Sequence, residues 1–140
     1  MPLHPATVHF PIALLLASLG FYVVHLWKQE EYYQRAGFLL HVIGVISMAV
    51  AVLTGNQAQS AVEDIAGLED ILQQHQISGF VLLWILGMML IWRYLRQKRM
   101  PKWEALLFVG VYVAAMGLMA YSSHLGGTMV YEYGAGLIKG

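Results

Sequence analysis

Four long apolar runs leave this 140-residue chain very few folds. They reach from about Phe10 to Trp27, Ala36 to Thr54, Ile77 to Leu95 and Trp103 to Tyr121. Each is close to the ~20 residues that a membrane-crossing helix needs. Inside lipid the backbone must satisfy its own polar groups, so each run reads as one helix. Composition agrees, with 59% hydrophobic residues and only 11% charged ones, less than half of the ~25% usual in soluble domains. The expected fold is an all-α transmembrane four-helix bundle, up-down-up-down, filling one domain over residues 1–140.

The charges suggest an orientation. Seven of the eight Lys and Arg residues lie in or beside two short connections: Lys28 and Arg35 at the first, and Arg93, Arg96, Lys98, Arg99 and Lys102 at the last. The middle connection carries Glu63, Asp64, Glu69 and Asp70 and could include a short surface helix. The positive-inside rule then places both short connections in the cytoplasm, and both termini with the acidic loop on the periplasmic side. Trp27, Trp92 and Trp103 fall at the inner boundary, where belt aromatics belong. The start, Met1-Pro2-Leu3-His4, lacks the basic region of a signal peptide, so the first run is expected to be retained.

Other features exclude chemistry. With no cysteine, the chain has no disulfide, thiolate metal site, covalent haem attachment or thiol catalyst. A net charge of zero gives no support to a nucleic-acid partner. No serine, histidine and carboxylate share a spacing suited to a triad. Ser122, Ser123 and His124 are adjacent, and neighbours on a helix do not face one another.

The histidines are the informative residues. The topology gathers His4 and His9 before helix one, His75 at the opening of helix three and His124 at the close of helix four on one outer face. His25 and His41 lie towards the other side. Imidazole is a common ligand of metals and haem iron, and ionisable groups at membrane sites are functional candidates by default. The bland reading is helix capping and headgroup contact.

Glycines lie along these histidine faces. Gly110, Gly117 and His124 are seven residues apart and fall on one stripe at about 100° per residue. His75 shares a face with Gly79, Gly20 lies below His9, and Gly37, His41 and Gly44 share a face of helix two. Small residues can leave room for a flat ring, or can simply let helices pack closely. The end of the chain, "HLGGTMVYEYGAGL", is expected to leave the helix at Gly126 and Gly127 and fold back over the outer mouth, with Tyr131 near the cluster.

The opening "HPATVHFPIALLL", the "LTG" closing helix two, the histidine opening helix three and the terminal "HLGGTMVYEYGAGL" together resemble a bacterial membrane family, domain-of-unknown-function family 2231. The resemblance covers essentially the whole chain. It implies a small four-helix inner-membrane protein, often beside or fused to c-type cytochrome modules, and hence redox work. The matching positions are His4, Pro5, His9, Pro11, Gly55, His75, Gly126, Gly127, Tyr131 and Gly134. Where the family pattern often has tryptophan and aspartate after the helix-two glycine, this chain has Asn56 and Gln57.

The leading functional expectation is therefore an electron-transfer component rather than a stand-alone enzyme. It would bind one or two b-type haems through His4, His9, His75 and His124, with Gly79, Gly117, Gly126, Gly127 and Tyr131 around them, and work with a c-type cytochrome or respiratory subunits on the outer side. Second-shell partners would come from Tyr131, Asn56, Thr7 and Ser122. A second haem between His25 and His41 would need a separate inner site. The alternative is a cofactor-free structural subunit of a larger respiratory complex. A copper site using Met129 or Met1 is a third reading.

Overall fold

The computed structural model describes residues 8–62, 64–96 and 100–135. They form α1 (His9–Lys28), α2 (Glu31–Ala58), α3 (Glu69–Leu95) and α4 (Lys102–Tyr131), with one 3-10 turn, Gln59–Ala61, after α2. All four helices are long and apolar enough to cross a membrane. This is the expected all-α bundle. Each helix packs antiparallel on its sequence neighbours, and α4 closes the ring against α1.

The helix ends differ from the expectation in an instructive way. α3 begins at Glu69, so the acidic stretch contributes its first turn, where Glu69 and Asp70 suit the positive end of the helix dipole. His75 thus sits in the second turn of α3 and does not open it. α4 runs on to Tyr131, ten residues past its apolar run. At 1.5 Å per residue, the 30 residues of α4 span about 45 Å, against a hydrocarbon core of roughly 30 Å. The overhang lies at the end that carries the acidic connection, called here the acidic end. The opposite, basic end carries the two short connections.

At the basic end the first connection is abrupt. Gln29 takes a left-handed φ of 55°, and its side-chain amide donates to the carbonyls of His25 and Leu26. These bonds occupy carbonyls that the end of α1 would otherwise leave open. The second connection ends at Pro101, whose carbonyl accepts from Ala105 N–H to start α4.

Close backbone approach joins α1 to α2. A Cβ on Gly37 would lie 3.0 Å from the Tyr22 ring, and one on Gly44 would lie 2.7 Å from Leu15. Ser18 Oγ donates to Gly37 O at 2.7 Å across the same seam. The predicted shared face of Gly37, His41 and Gly44 is therefore real, and it serves packing. Gly44→Ala should cost about 1–3 kcal/mol, because Leu15 is fully buried and has no room to retreat. Gly20→Ala meets nothing within 4 Å and should be neutral or stabilising. Thermal melting of the two variants should thus shift in different directions.

The centre is filled by Leu15, Tyr22, Met48, Leu82, Leu86, Met89, Phe108, Tyr112, Ala115, Met116 and Met119. Trp84, Ile46, Leu53 and Leu39 point outward as a lipid-facing surface should.

Candidate functional site

His75 is the outer-end histidine that the fold turns inward. Its Nδ1 lies 2.9 Å from the carbonyl oxygen of Ser122 on α4. A carbonyl only accepts, so Nδ1 carries the proton and Nε2 carries the ring's lone pair. Ser78, one turn further along α3, donates to His75 O at 2.8 Å and pairs with Ser122 Oγ at 2.9 Å, accepting its proton. The two serines thereby fix the register of α3 against α4 at the height of the ring. Gly126, one turn above Ser122, makes room for it: a Cβ there would lie 3.4 Å from His75 Cε1. Imidazole with Nδ1–H on a backbone carbonyl is the usual arrangement of a metal-ligating histidine, since it fixes both tautomer and ring orientation.

Of the other predicted ligands that are described, His9 and His124 are not turned towards it. His9 opens α1 with its side chain exposed, and His124 is likewise exposed. The reason is helical phase. His124 is two residues, about 200°, beyond Ser122, which faces α3. The stripe of Gly110, Gly117 and His124 does share one face, but that face looks out of the bundle, with nothing within 4 Å of a Cβ at either glycine. Gly79 faces Val52 of α2. His4, Pro5 and Thr7 lie outside the described residues. Among the described residues, no three His, Asp or Glu side chains form a metal-binding group.

The expected fold-back at Gly126 and Gly127 is corrected: both glycines, and Tyr131 with them, continue α4. A helix satisfies its own backbone near lipid, which outweighs the intrinsic cost of glycine there. Tyr131 is 90% exposed. Asn56 is exposed too. The chain turns only at Gly134, whose φ of 66° accompanies bonds from Gly134 N to Val130 O and from Ala135 N to Met129 O. Tyr133 then packs 3.6 Å from the Cβ position of Gly67 in the acidic connection. Residues 136 and 137 of the predicted cap lie outside the described residues.

At the basic half the fold assembles polar groups that the sequence reading passed over. His41 is fully buried, with Nε2 donating to Leu86 O at 3.1 Å and Nδ1 lying 3.5 Å from the Tyr22 hydroxyl. Both nitrogens are engaged in packing roles, against an inner haem ligand. His25 Nδ1 meets Glu30 O at 3.0 Å at the end of α1. Around His41 stand Tyr22, Phe108 and Tyr112. Beyond them, Glu104 accepts from Trp92 Nε1 at 2.8 Å and from Arg96 Nη2 at 2.6 Å. The signal was present in the sequence, as Arg93 and Glu104 within apolar runs.

No curated protein and no solved structure matches the chain. A family model described as "Predicted membrane protein (DUF2231)" matches residues 1–139. That match spans every helix described above, and the chain belongs to this family of membrane proteins.

Proposed function

We propose that the protein is a membrane electron-transfer component that would bind b-type haem at its acidic end, with His75 Nε2 as one of the residues holding it. The observation that carries this reading is the hydrogen bond from His75 Nδ1 to Ser122 O beside Gly126, which prepares Nε2 for a metal. A second ligand would come from His9 or His124, at the same end of the bundle, or from His4, which lies outside the described residues. When bound, haem supplies one-electron chemistry. The chain's own part is to hold the imidazole in one tautomer, orient it, and set the ring at interfacial depth, within reach of an outside partner. Seven basic residues at the opposite end favour the cytoplasm for that end. The acidic end then faces the periplasm of a bacterial inner membrane, where a c-type cytochrome or respiratory subunits would meet it.

A second reading is a cofactor-free structural subunit of a larger electron-transfer complex. The outward positions of His9 and His124 favour it. Absorption spectroscopy separates the two. Protein purified from haem-replete cells should show a reduced-minus-oxidised b-type band at about one haem per chain. A colourless protein that also fails to take up added haemin would leave the structural reading standing.

A further inference from the structure

From residue 36 to residue 92 the chain has no Lys or Arg, yet it carries Glu63, Asp64, Glu69 and Asp70. Asp64, Glu69 and Asp70 make no ion pair among the described residues. Beside Glu69 the fold leaves a cleft of about 240 Å³, lined by Gln59, Val62, Glu69, Leu72, Gln73 and Gln76. It lies between the 3-10 turn after α2 and the first two turns of α3. Helical spacing explains the lining: residues 69, 73 and 76 are four and three apart and share one face of α3. Gln76 Nε2 donates to Gln59 Oε1 at 2.7 Å and ties the turn to that face. The bond leaves the Gln76 carbonyl oxygen to accept and the Gln59 amide nitrogen to donate. His75, although next to Gln76 in sequence, bonds Ser122 of α4 instead.

This lining selects a class of ligand. One carboxylate and the carbonyl oxygens of Gln73 and Gln76 are acceptors, and they suit a cation that brings several N–H donors. A primary ammonium brings three. A quaternary ammonium brings none and is held by aromatic faces, and no aromatic residue lines the cleft. Calcium takes about six to eight oxygen ligands, and a single carboxylate lines the cleft. The space is far larger than one water or a bare ammonium ion fills, so the ammonium belongs to a larger molecule. Depth names that molecule. The apolar run of α3 starts at Ile77, directly after Gln76, so the cleft stands at the level of lipid headgroups. Val62 and Leu72 give it an apolar wall. The amide N–H groups of Gln59 and Gln73 suit the phosphate that neighbours the ammonium of an aminophospholipid.

We infer that this cleft holds the headgroup of an aminophospholipid, with its primary ammonium on Glu69, Gln73 and Gln76 and its phosphate on the amides of Gln59 and Gln73. The lipid brings the positive charge that the segment lacks. The site lies between α2 and α3 and is independent of any haem on His75.

Native mass spectrometry tests this on the full chain, reconstituted with equal amounts of phosphatidylethanolamine and phosphatidylcholine and then released into mild detergent. The ethanolamine lipid should be retained about tenfold over the choline lipid, since a charged hydrogen bond is at stake. Glu69→Gln, a nearly isosteric change at an exposed position, should abolish the preference, and Gln73→Leu should weaken it. Asp70→Asn should keep it, because Asp70 is exposed outside the lining. Equal retention of the two lipids, or a preference untouched by Glu69→Gln, overturns the inference. So does a preference lost equally in Asp70→Asn, which would trace it to surface charge at large. Displacement of the lipid by free ethanolamine would identify a site for soluble amines and would overturn the lipid assignment.

Discussion

Replacing His75 by alanine should abolish haem binding, or leave a residual five-coordinate, high-spin species with a sharply reduced haem content. The ring is the donor that the bundle has already oriented, through Nδ1 on Ser122 O. Among the described residues beside it, Ser78 and Ser122 are committed to each other and to the α3 backbone, so neither can take its place. Graded variants sharpen the test. Ser122→Ala keeps the carbonyl and so should keep haem, while losing the hydroxyl that lies 3.3 Å from Nδ1. Loss of an outer partner of this kind typically costs about 10–100-fold in affinity. Gly126→Leu should block the site sterically. His41→Phe should retain the full spectrum, because His41 bonds Leu86 O and fills the aromatic core. The reverse pattern, with haem kept in His75→Ala and lost in His41→Phe, would move the site to the basic half. Spectra and pyridine-haemochrome titration of these variants, purified side by side, read out each case.

The bundle itself was legible in the residues because its cause is one-dimensional. Apolar length and the need to close backbone hydrogen bonds act along the chain, and four runs suffice. Helix ends were less legible. The overhang of α4 through Gly126 and Gly127 reads as a break by propensity, yet propensity is weak beside the cost of an open backbone near lipid. The histidines divide for a different reason. All four outer ones were assigned by depth, and depth does not fix helical phase. His75 turns inward because Ser78, three residues later, shares its face and bonds Ser122. His124 turns outward because it is two residues from Ser122. The spacing His75-x-x-Ser78 was the available clue. Pairings across helices, such as Glu104 with Trp92 and Arg96, need the tertiary fold, although a carboxylate inside an apolar run announces that some partner exists.

The other large expected effect concerns that carboxylate. Glu104→Gln should unfasten the basic end and give the largest fall in melting temperature of any single polar substitution in the bundle. Glu104 stands in the first turn of α4, and its Oε1 accepts from Trp92 Nε1 and from Arg96 Nε, both at 2.8 Å. Its Oε2 accepts from Arg96 Nη2 at 2.6 Å. One side chain therefore ties the last turn of α3 and the residue after it to the start of α4. The hydrogen bonds and charge of Glu104 also hold the Arg96 guanidinium above its ordinary pKa. Glutamine is nearly isosteric, but it removes the negative charge and turns one acceptor into a donor. That donor then points at the Arg96 guanidinium or the Trp92 N–H. Arg93 and Arg96 would be left as two cations with no carboxylate between them; Arg96 is 47% exposed, which softens the cost, but the Glu104 side chain is only 6% exposed, so its lost bonds weigh more than those of a surface pair. The exposed pair Arg35–Glu31 gives the control. It too is close, at 2.7 Å, but its side chains are 77% and 71% exposed, so Glu31→Gln should cost at most about 0.5 kcal/mol. Melting both variants in the same lipid at low and high salt tests the contrast. A Glu104→Gln midpoint no lower than that of Glu31→Gln would show that the α3–α4 junction is held by packing of Trp92 on Phe108 alone.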